Sequence, residues 1–367
     1  MNTRRMGRIS LFSFSLVSAL AQQNGPAGQS GPPASVLPGS ANRRITLDVV
    51  VTDKSGRPLP GLHQQDFTLL DNKQPQKIAS FHAVENGIAT ADPPVEVILL
   101  VDEVNASFTR VSFERGEIVK FLGQNGGELA GPVSIVLFSD SGTLIGNTSS
   151  RDGNALIAEL NQKRSGLRTI GRSQGFYGAA ERLQLSLHAL EQLAVYEATR
   201  AGRKLVVWIT PGWPLLSGLS AGWPSSKLQQ GLFTSIVALS DELRRARITL
   251  YFIDAFGIVD TGELRTSTYK QFLTPVRTVR QAQTGNLALE VLAHQSGGLV
   301  LNSSNAVARE IATCIADANA FYVLSFDGLA GDGPNEYHAL EIKIDRPGAA
   351  ARTRSGYYAQ PEQAPAR

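Results

Sequence analysis

A chain of 367 residues with 42% hydrophobic and 18% charged side chains has the make-up of a globular protein of about two domains, able to bury a sizeable core. Its formal net charge is only +3, and no basic stripe interleaved with aromatics is present, which argues against nucleic acid as a partner. One cysteine, Cys314, excludes an internal disulfide; its spacing from Val307, Ile311 and Ala318 puts it on the apolar stripe of a helix, as a small buried hydrophobe.

In chain order, Arg4, Arg5 and Arg8 precede an apolar stretch from Ile9 to Leu20 and the small-residue end Ala19-Leu20-Ala21, which predicts a signal peptide over 1–21 cleaved after Ala21. The stretch is too short to span a bilayer, and no later one is longer, so the mature chain is expected in the periplasm, cell envelope or medium without a membrane span. Loss of those three arginines takes the formal charge from +3 to 0. Residues 22–43 are rich in Gly, Pro, Ser and Gln and read as a flexible linker. From Arg44 the alternation of Ile45, Leu47, Val49 and Val51 predicts a strand. Further short strands follow over Phe67 to Leu70 and Lys77 to Val84, making a β segment over 44–90. Asp66-Phe67 and Asp71-Asn72 read as turn and edge residues rather than ligands.

Residues 91–318 alternate apolar strands with amphipathic helices. Val95 to Val101 is a nearly unbroken apolar run ending abruptly at Asp102, as in a parallel strand covered on both faces. Comparable runs lie at Val133 to Phe138, Leu205 to Ile209 and Ile248 to Ile253, with a short edge strand over Thr143 to Ile145. Helices are expected after Ser107 through Leu122, over Phe176 to Ala194, Leu228 to Ala246, Asn286 to Gln295 and Asn305 to Ala318, with a strand at Gly298 to Leu301. This pattern predicts a doubly wound, mostly parallel α/β sheet with right-handed crossovers. Over 319–359 β signals return at Phe321 to Phe326, Tyr337 to Ile344 and Arg352 to Tyr358. Neither β segment buries a sheet face alone, so the two are expected to close one β-sandwich with the α/β part inserted between them. The tail 360–367 is Pro, Gln and Ala rich and is expected to be disordered.

The strand VEVILLVDEVNAS and its following loop resemble the start of a von Willebrand factor type A (VWA) domain. The segments ITLDVVVTDKSGRPLPGLHQQDFTLLDNKQPQKIASF, GRKLVVWITPGWPLLS, LEVLAHQSGGLVLNSS and FYVLSF with its C-terminal continuation resemble, in that order, a family of exported acidobacterial VWA-related proteins. The resemblance implies a Rossmann-like VWA domain and a binding or adhesion module that engages a protein or envelope partner through the carboxyl-end loops of its sheet. It also implies a metal-ion-dependent adhesion site for Mg²⁺, held by oxygens from three loops. The motif Asp-x-Ser-x-Ser reads here as Asp102, Val104 and Ala106, so the acid is kept and both hydroxyls are lost. Asn105 and Ser107 are the substitute oxygens, Thr169 and Ser173 the candidates in the second loop, and the third loop reads Thr210-Pro211-Gly212 without an acid. A hard cation wants more charged oxygens than this, so the site is degenerate. In the alternative reading Asp102 bonds loop backbone and closes the strand end.

The same rim offers other contacts. Trp213 and Trp223 repeat a Gly-Trp-Pro motif in an apolar loop, and Arg265, Lys270, Arg277 and Arg280 lie in a long segment from Asp254 to Gly285. A hydrolase reading rests on Gly218-Leu219-Ser220-Ala221-Gly222 with Asp254 and His294 following. It is weak, because a nucleophile elbow sits directly between strand and helix, whereas Ser220 comes well after Ile209. No catalytic residue is assigned.

Overall fold

The computed structural model describes residues 43–85, 93–146, 149–163, 175–215, 225–255, 269–302 and 304–362. The expected signal peptide, nearly all of the linker, Thr169, Ser173, Ser220, Trp223, Arg265 and most of the tail therefore lie outside the described residues.

Apolar runs without alternation demand cover on both faces, and the chain supplies it. Strand β5 (Glu96–Asp102) is buried along its whole length, between parallel neighbours β6 (Glu128–Ser139) and β9 (Lys204–Ile209). Beyond β9 come parallel β10 (Ile248–Ile253) and the two-residue β11 (Val300–Leu301). On the other side β7 (Gly142–Ile145) and β8 (Ser150–Asp152) pair antiparallel with β6, closing a seven-stranded, mostly parallel sheet. Even-numbered β5 residues such as Ile98 and Leu100 face α3 (Gly175–Ala198), α4 (Ser226–Arg245) and α5 (Leu289–Gln295). Odd-numbered ones such as Val97, Leu99 and Val101 face α1 (Phe108–Leu122), α2 (Gly153–Gln162) and α6 (Val307–Asn319).

Two four-stranded antiparallel sheets form a β-sandwich-like body from both parts of the chain. One runs β14 (Ala350–Arg352), β1 (Arg44–Thr52), β12 (Ala320–Asp327), β4 (Ser80–Glu85); the other runs β15 (Gly356–Ala359), β13 (Glu336–Ile344), β2 (Phe67–Asp71), β3 (Gln74–Gln76). The alternation in β1 puts Ile45, Leu47, Val49 and Val51 into a shared core with Leu69, Leu324, Phe326 and Tyr357. The outward Val50, Val84, Phe321 and Val323 join the core under α1 and α6, and Tyr337 and Tyr358 join the one under α4. Ionic ties accompany this packing. Arg247 pairs with Asp48 at 2.6 Å, and Asp317 of α6 accepts from Arg352 and the Tyr251 hydroxyl, each at 2.6 Å.

Several details differ from the sequence reading. The expected strand over Arg352 to Tyr358 breaks at Thr353 to Ser355, and its halves, β14 and β15, join different sheets. Helix α5 begins only at Leu289, preceded by a short 3₁₀ turn over Thr284–Leu287. The hairpin between β2 and β3 turns on Asn72 and Lys73, both with positive φ, as a two-residue turn compatible with strand twist requires. Asp71 stands at this turn as expected, and it is also fully buried, accepting from the Tyr357 hydroxyl at 2.6 Å and lying 2.9 Å from His338 Nδ1. Cys314 is buried among the residues that its spacing indicated, and burial pushes its thiol up.

One buried cation ties the bottom of the sheet to its helices. Lys204 Nζ donates to the carbonyls of Glu197 (2.8 Å), Arg200 and Ala246 (3.2 Å), at the C-terminal ends of α3 and α4, where helix dipoles favour positive charge. Lys204→Met leaves these carbonyls without that donor. It is expected to cost about 2–4 kcal/mol, read as a lower urea midpoint at unchanged slope.

Candidate functional site

The helix after a parallel strand begins at the carboxyl end of the sheet, and α3, which leads down into the amino end of parallel β9, begins at that end too, so the Asp102 loop, the start of α1 and the start of α3 share one rim. Asp102 is fully buried there. Its Oδ1 accepts from the backbone N–H of Val104 (3.0 Å) and of Asn105 (2.8 Å). Its Oδ2 accepts from Asn105 Nδ2 (2.9 Å), Trp208 Nε1 (3.0 Å) and Thr210 Oγ1 (2.9 Å). Burial raises the carboxyl above its ordinary value, and the bonds from Asn105, Trp208 and Thr210 oppose that shift. Asn105 Nδ2 also donates to Ser186 Oγ at 2.8 Å, linking the loop to α3.

These residues can be tested against a divalent cation. Two carboxylate oxygens offer about four lone-pair sites, and here they receive five donors. Three of those donors are side chains with their hydrogens directed at Oδ2, the oxygen that faces the neighbouring strand's loop. The hydroxyl of Ser107 caps α1, accepting from the Arg110 N–H at 3.4 Å. Val104 and Ala106, in the places of the motif's hydroxyls, are packed into the cores on opposite faces of the sheet. The donor set around Asp102 is therefore that of a satisfied carboxylate and does not fit Mg²⁺. Among the described residues no group of three or more His, Cys, Asp or Glu is arranged to hold a metal ion.

The aromatic contacts fall differently from expectation. Trp213 is 0% exposed, its ring 5.0 Å from Trp208 and edge-on to it, so it is core and not a contact residue. A large side chain beside a rigid Pro is cheaper to bury than to solvate when such a partner ring is available. Of the long segment from Asp254, the described part from Tyr269 is packed: Tyr269, Phe272, Val276 and Ala282 are buried. Arg277 lies over the Tyr337 ring at 5.4 Å and donates to its carbonyl at 3.3 Å, so it anchors this segment to the sandwich. Lys270 is exposed. The hydroxyl-bearing part of the hydrolase pattern lies outside the described residues, and His294 is an exposed residue in the last turn of α5.

What the sequence reading missed are Trp208 as a donor, two exposed aromatics and an unusual carboxyl. Phe108, the first residue of α1, is 81% exposed, and Tyr177, in the first turn of α3, is 84% exposed. Their signal was positional: each stands at a helix start, outside the apolar stripe that follows. Glu114 of α1 is fully buried, and neither carboxyl oxygen has a hydrogen-bond partner among the described residues. Burial pushes its pKa well up, helped by the charges of Asp102 and Asp254 and opposed by Arg110. Glu310 of α6 is pushed up to about 7 by burial and by Asp254.

No protein-family model matches the chain, and no curated protein matches it. Among solved structures, the pilus adhesin SpaC from Lactobacillus rhamnosus GG matches with a TM-score of 0.35 and 10% identity over 82% of this chain. The match spans 49% of the adhesin's length. A likeness this distant carries no argument about fold or function. Among the described residues no helix is long and apolar enough to cross a membrane.

Proposed function

We propose that the chain is an exported VWA-type binding module whose α/β part is inserted into the sandwich. It engages a protein or cell-envelope partner through the carboxyl-end rim of the parallel sheet. The observation that carries this reading is the pair of exposed aromatics, Phe108 and Tyr177, at two helix starts on the rim. Large rings held in water cost free energy unless a partner covers them, and aromatic anchors dominate binding energy at interfaces. The strand order around β5 and the position of Asp102 support the VWA assignment. The adhesion site is degenerate in a specific way: Trp208, Thr210 and Asn105 supply the positive ends that a cation supplies elsewhere. No catalytic role is assigned.

The test is binding of the full chain to immobilised envelope fractions. Phe108→Ser with Tyr177→Ser is expected to weaken binding by tenfold or more, about 1.4 kcal/mol or above. Changing the exposed Leu329 to Ser, on the sandwich side, should leave it unchanged. Chelator should change nothing, because Asp102 is already satisfied. Unaltered binding by the rim variant refutes the rim, and loss with chelator refutes the cation-free site.

A further inference from the structure

At the opposite, amino-terminal end of the parallel sheet a cleft of about 350 Å³ opens between the last turns of α1 and α6. Its floor is Val95, Val97 and Val133, and its walls are Phe121, Ile315 and Ala316. The volume lies in the range of small-molecule sites, and the lining is more apolar than polar, with Gln124, Asn125 and Asn319 among its polar residues. Two charges stand on the lining: Glu128 at the start of β6 and Arg151 in β8. The strands that carry them are paired, with Glu128 opposite Asp152. Yet neither side chain makes an ion pair or a hydrogen bond among the described residues, and both are exposed. Helices α1 and α6 both end here, so the negative ends of two helix dipoles reinforce Glu128 on the side of the cleft that the helices form.

We propose that this cleft binds a small zwitterion with an apolar body, of about the size of an apolar dipeptide. The ammonium is held by Glu128 and the helix ends, the carboxylate by Arg151, and the side chains by the valine floor. Charge complementarity selects this occupant. An apolar molecule alone leaves both charges unused, and an anion or a cation alone uses one and meets repulsion from the other. The site lies at the other end of the sheet from Asp102 and is independent of the rim.

Calorimetry with the full chain and leucyl-leucine, N-acetyl-leucyl-leucine and leucyl-leucinamide tests it. The free dipeptide is expected to bind, and blocking either end to weaken binding about tenfold, the worth of one charge-assisted contact. Glu128→Gln should abolish the penalty for acetylation, and Arg151→Gln the penalty for amidation. Ala316→Trp, which fills the cleft from a half-buried position, should remove binding of all three. No heat with leucyl-leucine, equal binding of the blocked forms, or undiminished binding by the Ala316→Trp protein overturns the proposal.

Discussion

Asp102→Ala is expected to destabilise the protein by about 3–5 kcal/mol, the range for removing one partner from a buried charged network. The cost does not lie in the lost side-chain volume. It lies in the Trp208 indole, the Thr210 hydroxyl and the Asn105 amide, which keep their buried positions and lose their common acceptor. Asp102→Asn should recover only part of it, because the new amide presents a donor to donors. In a protein of this size the loss is on the order of 10 °C in Tm. Phe108→Ala, immediately past the same loop and exposed, should stay within about 0.5 kcal/mol of wild type. If Asp102→Ala and Phe108→Ala unfold alike in urea, Asp102 does not hold the rim together.

The second large effect is a pH dependence. The Glu310 carboxyl, pushed up to about 7, keeps its proton in the folded chain over a range where the unfolded chain has already lost it. Glu114 is shifted in the same direction, with Asp102, Arg110 and Asp254 around it. Because the folded state binds more protons, stability falls as pH rises from the ordinary carboxylate range towards 7, and the loss from Glu310 is complete above that. The protein should therefore melt at a higher temperature at pH 5 than at pH 8. Glu310→Gln should flatten that slope. Glu114→Met replaces a carboxyl without a bonding partner by an apolar chain of similar length. It is expected to stabilise the protein by about 1–3 kcal/mol at pH 8, and by less at pH 5. A protein more stable at pH 8 than at pH 5, or destabilised at pH 8 by Glu114→Met, would contradict this account.

Much of the architecture was legible because burial on both faces leaves a compositional mark. The unbroken runs at Val95, Leu205 and Ile248 became β5, β9 and β10, and strict alternation at Ile45 became β1. The break at Thr353 to Ser355 was not legible. The polar residues Thr353, Arg354 and Ser355 between the two segments fit one long strand as well as two short ones, and only pairing with β1 and β13 divides them. At the site, Asp102 was visible as a polar stop to an apolar run. Trp208 was hidden, since an indole within such a run reads as filler and its N–H has no sequence signature. Glu114 follows Arg110 by four residues, a spacing that normally marks a solvated pair on a helix face. Here that face turns towards the rim's acids. Trp213 was misplaced because exposure depends on a partner ring that only the fold brings to 5.0 Å.

The register of β1 governs how the molecule can come into being. Its first residue pairs with one 283 positions later, and its last residues pair with β14, later still. A strand made so far ahead of both its neighbours thus waits, edges open, and closing so large a loop makes folding slow. Vectorial synthesis can complete the helical layers first, whereas the two antiparallel sheets assemble only when β12 to β15 have been made. A premature stop between Ile344 and Gly356 would strip β13 of its edge partner β15 and expose unpaired backbone to aggregation, even with every rim residue intact.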